Sequence, residues 1–121
     1  MDANNESNMS FCILISCMFQ DKDIISRSNV RANVVVVNQC DTDSMEAFDF
    51  TDAEGKAHKA LFINTTERGL SKSRNMAIKN SLGEICLICD DDELFVDDVE
   101  RIVLESYSQH PECDVISFSL K

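Results

Sequence analysis

Strand-length apolar runs alternate along this chain with segments whose apolar residues recur at helical spacing. Phe11-Cys-Ile-Leu-Ile-Ser16 is almost continuously apolar, the pattern of a strand buried on both faces. Asp21 to Asn29 carries weak helical character around Ile24 and Ile25, enough for about two turns. Asn33-Val-Val-Val-Val-Asn38 is the clearest strand, because successive β-branched residues suit a pleated sheet better than a helix. Gln39 to Asp43 is polar and reads as a loop at that strand's end. Phe48-Asp-Phe50 and Ala57-His-Lys-Ala-Leu61 flank Ala53-Glu-Gly55, which predicts a hairpin leading into a strand around Leu61-Phe-Ile63.

Gly69-Leu-Ser71 opens a second helix, with Ser71 as its expected N-cap. Met76, Ala77, Ile78 and Leu82 would form its apolar face, and Gly83 its C′ stop. Strand Ile85–Cys89 follows. A further helix is predicted from Asp97 to Gln109, with Val99, Ile102, Val103 and Tyr107 on one face and Asp97-Asp98 in its first turn. His110-Pro111 ends it, and Asp114 to Ser119 reads as a last strand. Residues 1–10 are polar and are expected to be a disordered tail, leaving residues 11–121 as one α/β domain. Strands alternating with helices imply a three-layer α/β sandwich with a mainly parallel sheet. In such sheets ligands gather at the carboxyl ends of the strands, so Ser16, Asn38, Asn64 and Asp90 would line one crevice.

A chain of 121 residues suits a single modest core. Its 22 acids and 11 bases leave a formal charge of −11, which argues against sequence-independent binding of nucleic acid. The charge is uneven: four bases and one acid lie between Glu67 and Lys79, whereas Glu84 to Glu105 holds nine acids and one base, Arg101. Cys12, Cys17, Cys86 and Cys89 lie in or beside apolar runs and read as buried thiols rather than a disulfide framework. Cys86-Leu-Ile-Cys89 has redox or zinc spacing, yet no second such pair completes a site. His58, alone near a turn, is expected to be solvated. The polar start is unlike a signal peptide, and no apolar run is long enough to span a bilayer, so the expected home is the cytoplasm.

Asp90-Asp91-Asp92-Glu93 directly follow the apolar run Ile85–Cys89, so a buried strand empties into four carboxylates. One such acid would be read as a cap for the next helix. Like charges this close repel unless a cation relieves them, and hard Mg2+ or Mn2+ ions bridge carboxylates to phosphates. The basic segment just before would suit a phosphorylated ligand carrying its own cation.

Arg68-Gly-Leu-Ser-Lys-Ser-Arg-Asn75, Ala77-Ile78, Gly83-Glu-Ile85 and Asp90-Asp-Asp-Glu93 together resemble the nucleotide-sugar-binding half of a family 2 glycosyltransferase. The resemblance runs from about Phe11 to the end of the chain, and its second half is the specific part. It implies a GT-A, Rossmann-like fold that stops after the DxD region, a nucleotide-diphosphate-sugar donor, and a Mn2+ or Mg2+ cofactor. By the same resemblance Asp90 would contact the ribose or the metal, Asp92 would ligate the metal, and Asp91 and Glu93 would assist. Ser71 and Arg74 would face the nucleotide, Arg74 reaching the base or phosphates, with Lys72 a weaker candidate and Lys79 a solvated one.

The chain departs from that pattern in four places, one of them a first helix that is short for the family. Family members often carry a proline and an aromatic after the first strand, where this chain has Ser16-Cys-Met-Phe-Gln20. They often end the second strand in paired Asp, where Asn38-Gln39-Cys40-Asp41 stands here; an amide at Asn38 or Gln39 can still donate to and accept from a base. Their acceptor site and general base lie beyond the position of Lys121, so no catalytic residue is expected within this chain. The saccharide acceptor would be handled by an absent half, and apolar surface left by that half would favour a homo-oligomer or a partner. The cell-surface polysaccharide pathway also follows from the resemblance. The alternative is a non-enzymatic, Mg-binding module of receiver or flavodoxin type, although a first strand ending in Ser16-Cys17 lacks the acidic pair a receiver needs.

Overall fold

The computed structural model describes residues 11–81, 83, 85–90 and 99–109, and the side chains of Asp90 and Tyr107 are not among what is described. The polar tail, Leu82, Asp91, Asp92, Glu93, Asp97, Asp98, His110-Pro111 and the strand expected at 114–119 lie outside those residues.

Among the described residues, five strands and three helices follow in the order β1 (Phe11–Met18), α1 (Asp23–Arg27), β2 (Asn33–Gln39), β3 (Ser44–Thr51), β4 (Ala57–Thr65), α2 (Leu70–Lys79), β5 (Ile85–Asp90) and α3 (Val99–Gln109). Among the described strands the sheet order is β3-β4-β2-β1-β5, with β3 antiparallel to β4 and the other pairs parallel. Successive strand residues point to opposite faces, so a strand covered on both sides must be apolar at every position. The central pair obeys this. Ile13, Ile15, Val34 and Val36 pack with Leu87, with Ile24 and Ile25 of α1, and with Val99 and Val103 of α3. Cys12, Leu14, Val35 and Val37 face the other way, against Ile63 and Ala77 of α2. The result is helix, sheet and helix in three layers.

The chain moves outward from β1 to β2 and β4, then returns to add β5 on the opposite side of β1. That reversal makes the carboxyl edge of β1 and β5 a topological switch point, where open α/β sheets hold ligands. Ser16 and Asp90 are register partners there.

The β3–β4 hairpin closes as expected, through Gly55 at φ 88 and a carboxylate at Asp52 that accepts the backbone N–H groups of Glu54 and Lys56. His58 corrects the expectation of a solvated ring. Its side chain is 8% exposed and lies 2.7 Å from Asp52 Oδ2, with the Phe50 ring alongside. The hydrogen bond with His58, joined by the Lys56 N–H, holds the Asp52 carboxyl at about 2, below its ordinary 3.8.

Helix α2 differs from expectation in three ways. Its N-cap is Gly69 at φ 114, a conformation that favours glycine, and Ser71 lies exposed inside the first turn. Its buried stripe is Ser73 and Ala77, flanked by Met76, while Ile78 is 49% exposed because it lies about 100° around the helix from Ala77. The helix ends at Asn80, whose N–H bonds the carbonyls of Met76 and Ala77, so Gly83 is not its C′ residue. Gly83 answers a different demand: a Cβ there would lie 2.9 Å from the carbonyl carbon of Phe11. In α3 the buried pair is Val99 and Val103, with Leu104 packed beside them and Ile102 turned outward. Cys12, Cys17 and Cys89 are buried, and Cys86 and Cys89 fall in different core clusters on opposite faces of the sheet.

Candidate functional site

At the carboxyl edge, polar residues replace the apolar run of each parallel strand. Ser16 is buried near the end of β1, and its Oγ has no hydrogen-bond partner among the described residues. Asn38, near the end of β2, is buried with both ends of its carboxamide engaged. Its Oδ1 accepts the Gln20 N–H at 2.9 Å, and its Nδ2 donates to Gln20 O and to Asn64 Oδ1, each at 2.9 Å. Asn64 Nδ2 then donates to Ser44 Oγ at 2.9 Å. A chain of amides thus ties the β1–α1 loop to β2, β4 and β3. Gln39 Nε2 donates to the Gly69 carbonyl at 2.9 Å, which fastens the start of α2 to the end of β2.

The structure therefore brings Ser16, Asn38, Gln39 and Asp90 to the ends of three adjacent strands, with α2 anchored beside them. Arg74 is half-buried on that helix, whereas Ser71, Lys72 and Lys79 are exposed. Asp90 closes β5 at the switch point; Asp91, Asp92 and Glu93 continue the chain outside the described residues. Among the described residues no group of three or more His, Cys, Asp or Glu side chains is placed to hold a metal ion. The donor set in sequence, consecutive carboxylates with oxygen ligands only, fits hard Mg2+ or Mn2+.

Two residues at this edge were not among the site residues expected from sequence. Phe19, just beyond β1, adopts φ 53 and is 60% exposed. Arg68 lies over it, with its guanidinium carbon 5.5 Å from the ring centroid. A cavity of about 530 Å3 opens beside Phe19, lined by that residue with Gln20, Asp21, Asp23, Ser26 and Arg27. The sequence signal for Phe19 was a lone aromatic directly after an apolar strand; for Arg68 it was a place in the basic segment next to Gly69.

The model of the family Glycosyl transferase family 2 matches residues 22–119. The chain belongs to that family. No curated protein and no solved structure matches it. The mostly parallel five-stranded sheet flanked by helices is accordingly the Rossmann-like part of a GT-A fold. As a family 2 domain, the chain is a glycosyltransferase at family level, with nucleotide-sugar binding as the role of this region. Membership in family 2 also favours the enzyme class over a receiver- or flavodoxin-type module. No described helix is long and apolar enough to cross a membrane.

Proposed function

We propose that this chain binds a nucleotide-diphosphate sugar at the carboxyl edge of β1, β2 and β5, as the donor-binding part of a cytoplasmic glycosyltransferase of cell-surface polysaccharide synthesis. The observation that carries the proposal is the register of Ser16 with Asp90 at the sheet's switch point, in a chain of family 2. Asp90 and Asp92 would hold Mn2+ or Mg2+, and Asp91 would assist in binding the nucleotide. When bound, the cation supplies Lewis-acid stabilisation of the departing diphosphate.

The protein's own residues bind and orient. Ser16 offers, from the floor of the edge, a hydroxyl with no partner among the described residues. Asn38 and Gln39 set the spacing of the loops around the nucleotide, since their amides bridge Gln20, Asn64 and Gly69. Arg74 and Ser71, on the helix fastened by Gln39, bring charge and a hydroxyl to the phosphates. Phe19 presents an exposed ring on which a base can stack, a contact worth about 1–3 kcal/mol per base. The saccharide acceptor is assigned to no described residue, and neither is its general base.

Titration calorimetry with UDP, GDP and CDP, with and without Mn2+, tests this assignment. Metal-dependent binding of at least one is expected, with Asp92→Ala reducing it at least tenfold. Absence of binding in every combination overturns donor binding; full binding by Asp92→Ala overturns the metal role.

A further inference from the structure

We infer that Arg68 is a positioning residue of the donor site, holding the Phe19 ring and the β2–β3 loop as one preformed wall; this rests on the donor-binding proposal above. Arg68 lies between β4 and α2, so its contacts to the loops after β1 and β2 cross from one segment to another. Nη1 donates to Cys40 O at 2.9 Å and to Thr66 O at 3.0 Å, with Glu67 O at 3.4 Å. Nη2 faces Asp41 Oδ1 at 3.5 Å, a long and exposed pair that contributes little by itself. The guanidinium plane then meets Phe19 at cation–π distance.

Phe19 is the informative partner. A phenylalanine in the left-handed region is strained, and residues held so cluster at ligand sites. Its backbone is fixed by an N–H bond to Gln39 O at 3.0 Å, while its ring lies largely outside the core. Among the described residues, Arg68 is the cation that lies over that ring. Because Nη1 is already committed to main-chain carbonyls, the fork is poorly placed to clamp a phosphate as a bidentate pair. Its influence on a ligand therefore passes through Phe19 and the Cys40-Asp41 backbone. A nucleotide should feel its loss through the base and not through the diphosphate.

The test compares Arg68→Ala, Arg68→Lys, Phe19→Leu and the double variant Arg68→Ala/Phe19→Leu by calorimetry with UDP, GDP, CDP and inorganic pyrophosphate, all in Mn2+. Arg68→Ala should weaken whichever nucleotide the parent protein binds by about tenfold, the scale of one base–aromatic stack, and leave pyrophosphate unchanged. Arg68→Lys should recover little, since an ammonium lacks the planar fork, and it serves as the working variant should the alanine fail to fold. The double variant should lose no more than the weaker-binding single variant, because both act on one wall. Equal losses for nucleotide and pyrophosphate, additive losses in the double variant, or unchanged binding by both Arg68 variants overturns the inference. Failure of the parent protein to bind any nucleotide overturns the donor-binding proposal itself, and this inference with it.

Discussion

Asp52 illustrates how much one side chain can organise. Its carboxylate receives His58 and two backbone N–H groups of the hairpin turn, and the His58 bond is the first cause of its lowered pKa of about 2. A folded-state value below the ordinary one contributes stability that is present above the unfolded value of 3.8 and lost as pH falls toward 2. Thermal melts of the native chain and Asp52→Ala should therefore differ at pH 5 to 7 and converge between about pH 4 and 2. A constant difference across that window would mean that ionisation of Asp52 has no part in stability. None of this was legible in residues 52 and 58 alone. Their pairing exists only once β3 and β4 are in register, so a histidine that looked isolated in the sequence is enclosed by the fold. Phe19 and Arg68 escaped notice for the same reason: they are far apart in the chain and meet only over the sheet edge.

Helix α2 shows the same at the level of an element. Its existence and approximate start were readable from Gly69-Leu-Ser71 and the apolar residues behind them, but its cap, buried stripe and stop were not. Periodicity fixes a helix; which side it turns inward depends on the sheet beneath. The two glycines around α2 serve different ends, and substitution separates them. Gly69→Ala meets open space for its Cβ but forces φ 114 on a residue that resists it, a cost of about 1–3 kcal/mol. Gly83→Ala meets the backbone of Phe11, and overpacking of that kind also costs about 1–3 kcal/mol. Urea denaturation should show both losses; calorimetry should show weaker nucleotide binding for Gly69→Ala beyond any loss for Gly83→Ala, because Gly69 is the residue Gln39 holds. Strand β5 adds a chemical check. Cys86 and Cys89 lie in separate core clusters, so mild oxidation should leave them unlinked in peptide mass spectra. An intramolecular 86–89 disulfide in the folded protein would contradict the strand.

For the whole molecule, the alternation of strand and helix correctly implied a layered, mainly parallel sheet, and the continuous apolar runs correctly implied burial on both faces. The strand order was not legible, because pairing of β1 with both β2 and β5 is a long-range choice that no local pattern records. That order is what turns four separate strand ends into one edge. Charge acts at the same scale. A formal charge of −11 repels a diphosphate from most directions, so an ion that neutralises the acidic end is expected to govern affinity. Chelation of divalent ions should lower nucleotide affinity at least tenfold, and restoring Mn2+ should recover it; affinity indifferent to chelator would rule out the proposed cation.

The amide at Asn38 carries one more implication. With its nitrogen donating to Gln20 O and Asn64 Oδ1, it is a two-way strut between three segments. Deamidation of this side chain to a carboxylate would exchange a single nitrogen for oxygen and set lone pairs against lone pairs. Chemical ageing of that one group would pry the loops apart while leaving the valine core beneath them intact.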